Sequence, residues 1–153
     1  MAEIAEAVGH DGALQVVMLR IGAETFALDA GMVREIIDPI PATRVAGARG
    51  HLASVVNVRG NVVPLADIRE RFGMPPVAAT RDTRFVVIEV AIEGDPVVVA
   101  LIADKVFEVT EIHFDQRQAI PKIGTNWRPE YIKTIVKFGD DFVIIPDIER
   151  ILN

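Results

Sequence analysis

The sequence predicts an all-β protein, and three of its features lead to that prediction. Short runs rich in Val and Ile recur along the chain, turn signals containing Gly separate them, and stretches with helical periodicity are scarce. Runs of this length and composition are typical of the strands in small barrels and sandwiches. The chain has 153 residues, which suits one compact domain or two small lobes with a common core.

The apolar runs define the expected strands, and glycines lie at the turns between several of them. Gly22, Gly60, Gly94 and Gly139 suit hairpin turns, because glycine tolerates a positive φ. The predicted strands are residues 14–21, 25–28, 54–58, 61–65, 84–92, 96–103, 131–138 and 141–145.

Two short segments have the spacing of a helix. Residues 66–73 carry apolar side chains four apart, and Gly73 can cap the C-terminal end. Residues 147–152 repeat this pattern with Asp147 as an N-cap. The stretch 74–82 contains two prolines and no apolar period, so we expect a linker there.

The sequence resembles itself in two places. Residues 26–37 are similar to 99–110, and residues 62–72 are similar to 142–152, in the same order and at nearly the same separation. Val-rich strands can resemble one another by chance. Acidic positions match here as well as aliphatic ones, however, which favours two lobes built on one plan.

The expected organisation is a flexible tail over residues 1–13 and a folded domain over 14–153. The lobes would divide near residue 80, at about 14–80 and 81–153. The N-terminal segment is acidic and poor in apolar residues, unlike a secretory signal, so we expect a cytoplasmic protein. The longest apolar runs fall far short of the ~20 residues that a membrane-spanning helix needs, so no membrane insertion is expected.

Composition excludes several kinds of function. The formal net charge is −6, and no basic stripe stands out, so nucleic acid is an improbable partner. The chain contains no Cys, which excludes disulfides, thiolate zinc sites and cysteine nucleophiles.

The sequence contains no arrangement of residues that predicts catalysis. Ser54 lies in a Val-rich strand without a nucleophile elbow, the three histidines are far apart, and no Gly-rich phosphate loop is present. We therefore predict no catalytic residue, metal site or cofactor. The alternative is a small-molecule-binding β-barrel or a hydrolase that uses Glu89 or Asp104 in a cavity.

The turn Asn57–Gly60 is a good place for a protein contact. It carries Arg59 between two apolar strands, and arginine is enriched at protein interfaces because its planar fork offers five donors. An ordinary turn with a solvated arginine is the alternative interpretation.

Five segments in this order resemble the CheW family of chemotaxis coupling proteins. They are LDAGMVREI (28–36), NVRG (57–60), NVVPLADIR (61–69), DKVFEV (104–109) and the closing segment 146–152. The sequence departs from the family pattern at Ser54, where glycine is usual, and in 45–53, which lacks the common prolines.

The resemblance implies a fold and a set of partners. The fold would be two five-stranded SH3-like barrels, and the function a non-catalytic adaptor between chemoreceptors and a histidine kinase, in a flagellar or a pilus-type pathway. The groove between the lobes would bind the cytoplasmic hairpin tip of a chemoreceptor, and other faces would bind the regulatory domain of the kinase. The protein would be recruited to receptor arrays at the inner face of the membrane. The implied receptor-binding residues are Val33, Glu35, Asn57, Arg59, Val106 and Val109, with Gly60 as a structural turn residue.

Overall fold

The computed structural model describes residues 12–47, 52–114, 117–118 and 129–153. Within these ranges the chain forms two six-stranded sheets and a short helix after the last strand. The strands are β1 Ala13–Ile21, β2 Glu24–Asp29, β3 Val33–Ile37, β4 Ala42–Arg44, β5 Ser54–Val58, β6 Asn61–Ala66, β7 Arg84–Ile92, β8 Asp95–Ala103, β9 Lys105–His113, β10 Arg117–Gln118, β11 Ile132–Phe138 and β12 Asp141–Pro146. The helix α1 is Ile148–Leu152, and 3-10 turns at Ala30–Met32 and Pro129–Tyr131 precede β3 and β11.

Each sheet combines strands from both halves of the chain. Sheet A has the order β10-β11-β12-β2-β1-β9, and sheet B has the order β3-β7-β8-β6-β5-β4. β1 and β2 therefore lie beside β9 to β12, whereas β3 to β6 lie beside β7 and β8. The lobe boundary near residue 80 stays a prediction. The two sheets are not divided at that residue, because each contains strands from before and after it.

The two sheets have the same internal arrangement. β1 to β6 match β7 to β12 in the same order, so that β1 matches β7 and β3 matches β9. When each strand is replaced by its match, the order of sheet B becomes the order of sheet A read in reverse. Each sheet contains one parallel pair, β12 with β2 or β6 with β8. Each also has a bulge where its edge strand, β9 or β3, pairs with β1 or β7. This match is what two repeats of one plan predict.

β1 and β7 are apolar on both faces because each strand lies between two apolar clusters. In β1, Val16 and Met18 point into the interior of the sheet A lobe, whereas Val17 and Leu19 point into a larger cluster between the sheets. β7 is divided in the same way between the sheet B lobe and the shared cluster. Because successive side chains of a strand point to opposite faces, these strands serve two cores at once.

The predicted all-β architecture of two lobes is confirmed, with differences in detail. Each predicted strand is present with bounds that agree within about two residues. The described residues also form β3, β4, β9 and β10, which the sequence did not predict and which give each sheet six strands rather than five. Residues 1–11 of the expected tail lie outside the described residues, and Ala13 at its end is buried as the first residue of β1.

The helix predicted near 66–73 is wrong, because this segment forms consecutive turns. Its backbone bonds join residues three apart, as in the bond from Phe72 N to Arg69 O of 3.1 Å. Gly73 ends the segment with a φ of 67°, and Met74 N donates back to Arg69 O at 2.9 Å, which closes a Schellman motif. An α-helix requires bonds between residues four apart, which this segment does not form before the motif at Gly73 ends it, and the side chain of Arg69 is buried.

The second predicted helix is confirmed at α1. Asp147 caps it, since its Oδ1 accepts a hydrogen bond from Arg150 N at 3.2 Å. Arg71 links the preceding turn segment to this helix by donating from Nε to Ile151 O at 3.0 Å. The two matching segments of the repeat thus contact each other directly.

Candidate functional site

The tip of the β5–β6 hairpin is shaped by its own side chains. Val58 pairs with Asn61, which leaves Arg59 and Gly60 as a two-residue turn with φ values of 53° and 84°. Positive φ at both positions is the mark of a type I′ turn, which suits the twist of a hairpin. Asn57 Oδ1 accepts a hydrogen bond from Gly60 N at 2.9 Å. Asparagine and glycine therefore build the turn, and Arg59 projects from it.

An ion pair joins this turn to the edge strand β3. Arg59 Nε lies 3.0 Å from Glu35 Oε2 and 3.3 Å from Oε1. β3 and β5 are separated by three strands in sheet B, so this contact requires the sheet to curl back on itself. The side chain of Arg59 is 78% exposed and that of Glu35 is 27% exposed. The carboxylate thus orients a guanidinium that remains open to a partner.

The predicted valines are divided between two sheets. Val33 on β3 and Val106 on β9 are partly buried against the shared cluster, at matching positions of the two repeats. Val109 lies further along β9 and is 58% exposed. The structure therefore brings Glu35, Asn57 and Arg59 together, and it places Val106 and Val109 on the edge strand of the other sheet.

A buried ionic network lies below the surface and was not predicted. Arg69 is 6% exposed; its Nε and Nη2 donate to Asp67 at 2.8 Å, and its Nη1 lies 3.4 Å from Asp104 Oδ1. Asp104 Oδ2 in turn accepts from Gly22 N at 2.6 Å. The network therefore links the end of β6, the junction between the sheets and the β1–β2 turn.

The carboxylates of Asp67 and Asp104 favour the charged form of Arg69. The hydrogen bond to Asp67 raises the pKa of Arg69, burial opposes that rise, and the nearby carboxylates of Asp67 and Asp104 add to it. Removing one partner of a buried ion pair typically destabilises a protein by ~3–5 kcal/mol, because the other charge is left without compensation. Asp104 is thus a structural residue, which weakens the alternative in which it acts as a hydrolytic carboxylate.

Glu89, the other carboxylate of that alternative, lies at a small cleft. Its Oε1 is 3.2 Å from Arg34 Nη2, and both side chains are about half exposed. The cleft has a volume of about 250 Å³, whereas small-molecule sites usually have ~300–1,000 Å³. It is lined by Met32, Glu89, Val90, Ala91, Lys133, Pro146, Asp147, Ile148 and Glu149.

Exposed aromatic residues form a second feature that the sequence did not predict as functional. Phe138 and Phe142 flank the tip of the β11–β12 hairpin and are 37% and 51% exposed, and Phe107 on β9 is 47% exposed. Aromatic side chains at accessible positions are enriched at protein interfaces. The signal in the sequence was the apolar residue on each side of the turn Gly139–Asp140.

Within the described ranges the structure has neither a cluster of metal-ligating side chains nor a helix that could span a membrane. His, Asp and Glu side chains nowhere gather there in a group of three that could hold a metal ion. None of the helices in those ranges has the length and apolar character that crossing a bilayer demands.

Comparison with known proteins decides the family. A model of the CheW-like domain matches residues 15–153, almost the whole chain. The chain belongs to the CheW-like domain family. The predicted resemblance is therefore confirmed.

Named members of the CheW-like family resemble the chain over nearly its full length. The chain is 25% identical to the chemotaxis protein CheW of Klebsiella aerogenes over 153 residues, which covers all of this chain and 90% of the relative. It is 29% identical to the chemotaxis protein CheW of Helicobacter pylori over 145 residues, which covers 94% and 84%. The crystal structure of the scaffolding protein TtCheW from Thermoanaerobacter tengcongensis superposes with a TM-score of 0.76 at 25% identity, covering 90% of this chain and 91% of that one.

Proposed function

We propose that this CheW-like chain is a non-catalytic scaffold of bacterial chemotaxis that couples chemoreceptors to a histidine kinase. Its membership of the CheW-like family supports this role, as do the names of the CheW relatives and of the scaffolding protein TtCheW. The observation that carries the proposal is the ion pair between Arg59 and Glu35, which holds an exposed guanidinium at the tip of a hairpin. Such a group is suited to binding another protein.

The proposed receptor partner is the helical hairpin at the cytoplasmic tip of a chemoreceptor. A helix docks in a groove through apolar anchors inside and charged groups at the rim, which fix its register. The partly buried Val33 and Val106 suit the anchors, and Glu35 with Arg59 suits the rim. The proposed site consists of Val33, Glu35, Asn57, Arg59, Val106 and Val109.

The proposed second partner is the regulatory domain of the kinase. It requires a surface separate from the β5–β6 turn, so that both partners bind at once. The β11–β12 hairpin offers one in the exposed rings of Phe138 and Phe142 beside the carboxylates of Asp140 and Asp141. We place the protein in the cytoplasm, recruited to receptor arrays.

Binding of point variants to the two partners tests the receptor site. We expect Arg59→Ala to weaken binding to a receptor hairpin fragment by about 30-fold, because an interface arginine at a hot spot contributes ~2 kcal/mol. Glu35→Ala should have a smaller effect with a stronger dependence on salt, because it only frees the guanidinium from its orienting carboxylate. Isothermal titration against the hairpin fragment and against the kinase regulatory domain measures both affinities.

Arg81→Ala serves as the matched control, since Arg81 is an exposed arginine of the linker and is not part of the proposed site. It should bind the receptor fragment like the wild type. If Arg59→Ala and Glu35→Ala also bind with wild-type affinity, the receptor site is misplaced. If the wild type binds neither partner and turns over a substrate instead, the scaffold function is wrong.

A further inference from the structure

Asp104 lies where the chain passes from one sheet to the other. β8 ends in sheet B at Ala103 and β9 begins in sheet A at Lys105, so Asp104 alone joins the two strands. Its backbone N–H donates to Arg20 O at 2.8 Å, and its carboxylate accepts from Gly22 N. Both contacts are made with the β1–β2 hairpin, whose strand β1 pairs with β9. Asp104 therefore anchors the start of β9 to sheet A.

The bulge in β9 makes this anchor important. The pairing of β1 with β9 shifts between Leu19, which pairs with Val106, and Val17, which pairs with Val109. A bulge disrupts the ladder locally, and a strand that slips by one residue turns its side chains to the opposite face. Val106 and Val109 are the sheet A residues of the proposed receptor site, so their placement depends on how the start of β9 is held.

Arg69 extends the anchor to sheet B. It follows the end of β6, the strand that leaves the turn carrying Arg59. Its Nη1 lies 3.4 Å from Asp104 Oδ1, and the two side chains are 7% and 10% exposed. Salt screens a buried pair much less than a surface pair. The ion pair thus connects the hairpin of Arg59 with the strand of Val106, which are the two halves of the proposed receptor site.

The matching crossing, from β2 to β3, is held in a different way. Gly31 stands there at the position of Asp104, and Glu149 stands at the position of Arg69. The chain enters β3 through a 3-10 turn, in which Gly31 N donates to Asp29 Oδ1 at 2.8 Å. This contact is local, so it does not tie β3 to the other sheet.

We propose that Asp104 and Arg69 are positioning residues for the receptor site, which fix β9 relative to the Arg59 hairpin. This inference rests on the proposed receptor site. Both side chains are buried, so they act without contact to the receptor. Loss of their ion pair changes the placement of Val106 and Val109 and leaves β3 as it is.

Asp104→Asn tests the positioning role, since its amide oxygen can still accept from Gly22 N while the charge opposite Arg69 is lost. We expect its affinity for the receptor hairpin fragment to fall about tenfold, the scale on which residues outside a binding site alter it. Affinity for the kinase regulatory domain should not change. Arg69→Gln should weaken receptor binding to the same extent. The double variant should be no weaker than either single one, because both remove one interaction.

Amide hydrogen exchange distinguishes a displaced strand from a general loss of stability. In Asp104→Asn the amides of residues 105–109 should exchange faster, whereas those of residues 33–37 should exchange as in the wild type. Asp147→Ala is the matched control, since it removes an aspartate that caps α1 and lies outside the ion pair. It should lower the melting temperature and still bind the receptor fragment like the wild type.

Isothermal titration of the variants separates this inference from the proposed function. Wild-type affinity of Asp104→Asn for the receptor fragment, with weakened binding by Arg59→Ala, overturns the positioning role alone. Wild-type affinity of both variants overturns the proposed receptor site as well. The positioning role is also wrong if Asp147→Ala weakens receptor binding as much as Asp104→Asn does, or if the effects of Asp104→Asn and Arg69→Gln add in the double variant.

Discussion

At the scale of single residues, close packing makes one hairpin glycine more restricted than another. Gly22 and Gly139 are each the first residue of a two-residue hairpin turn, and both have a φ of 62°. A Cβ added at Gly22 would lie 2.5 Å from Met74 Sδ, whereas one added at Gly139 would meet nothing within 4 Å. The β1–β2 turn is therefore packed against the linker, and the β11–β12 turn is free in solvent.

Alanine at these two positions separates backbone strain from crowding. Gly139→Ala should lower the free energy of unfolding by about 1 kcal/mol, the usual penalty for a positive φ in a residue with a Cβ. Gly22→Ala should lower it by about 1 kcal/mol more, because Met74 must shift. Urea denaturation of each variant with Met74→Ala added checks this. If the two glycine substitutions then lower the free energy of unfolding equally, crowding by Met74 is confirmed. If Gly22→Ala still has the larger effect, crowding is contradicted.

At the scale of elements, burial determines which strands could be predicted. β5 and β7 have the predicted bounds, because runs of Val and Ile mark strands with buried faces. β9 was missed because an edge strand tolerates charges on both faces, and its sequence KVFEVTEIH lacks a clear apolar run. The pairing of Arg59 with Glu35 depends on the curl of sheet B, which local sequence does not encode. The network around Arg69 was missed for the same reason, since Asp104 and Gly22 come from distant segments.

Adjacent positions on β6 allow a direct test of which face is buried. Val63 is 5% exposed and Val62 is 72% exposed. Val63→Asp should unfold the chain, because an unpaired buried charge costs several kcal/mol against a total stability of about 5–15 kcal/mol. Val62→Asp should retain the wild-type melting temperature within a few degrees. Thermal denaturation followed by circular dichroism measures the melting temperature of both variants. A folded Val63→Asp variant would contradict the assignment of Val63 to the core.

At the scale of the whole molecule, the shared cluster joins the two sheets into one unit. It takes side chains from β1 and β2 of sheet A, from β7 and β8 of sheet B, and from α1. Neither sheet can lose its structure without exposing that cluster, and each sheet also needs strands from both halves of the chain. We therefore expect the lobes to fold and unfold together.

Calorimetry tests this cooperativity. The wild type should show one transition whose calorimetric and van't Hoff enthalpies agree. Met18→Ala in the sheet A lobe and Leu65→Ala in the sheet B lobe should each shift that single peak down by roughly 4–20 °C, given ~2–5 kcal/mol for such truncations. Two resolved peaks, of which each variant moves only one, would show that the lobes are independent.

The interleaved strand order also affects how the chain folds during synthesis. β1 and β2 leave the ribosome well before their neighbours in sheet A, β9 and β12. At the usual rate of translation, this delay is on the order of ten seconds. During that time, strands that are apolar on both faces have no native partner to cover them. Nascent chains of this protein should therefore depend on chaperones that bind extended apolar segments, and folding should be slow because its decisive contacts are distant in sequence.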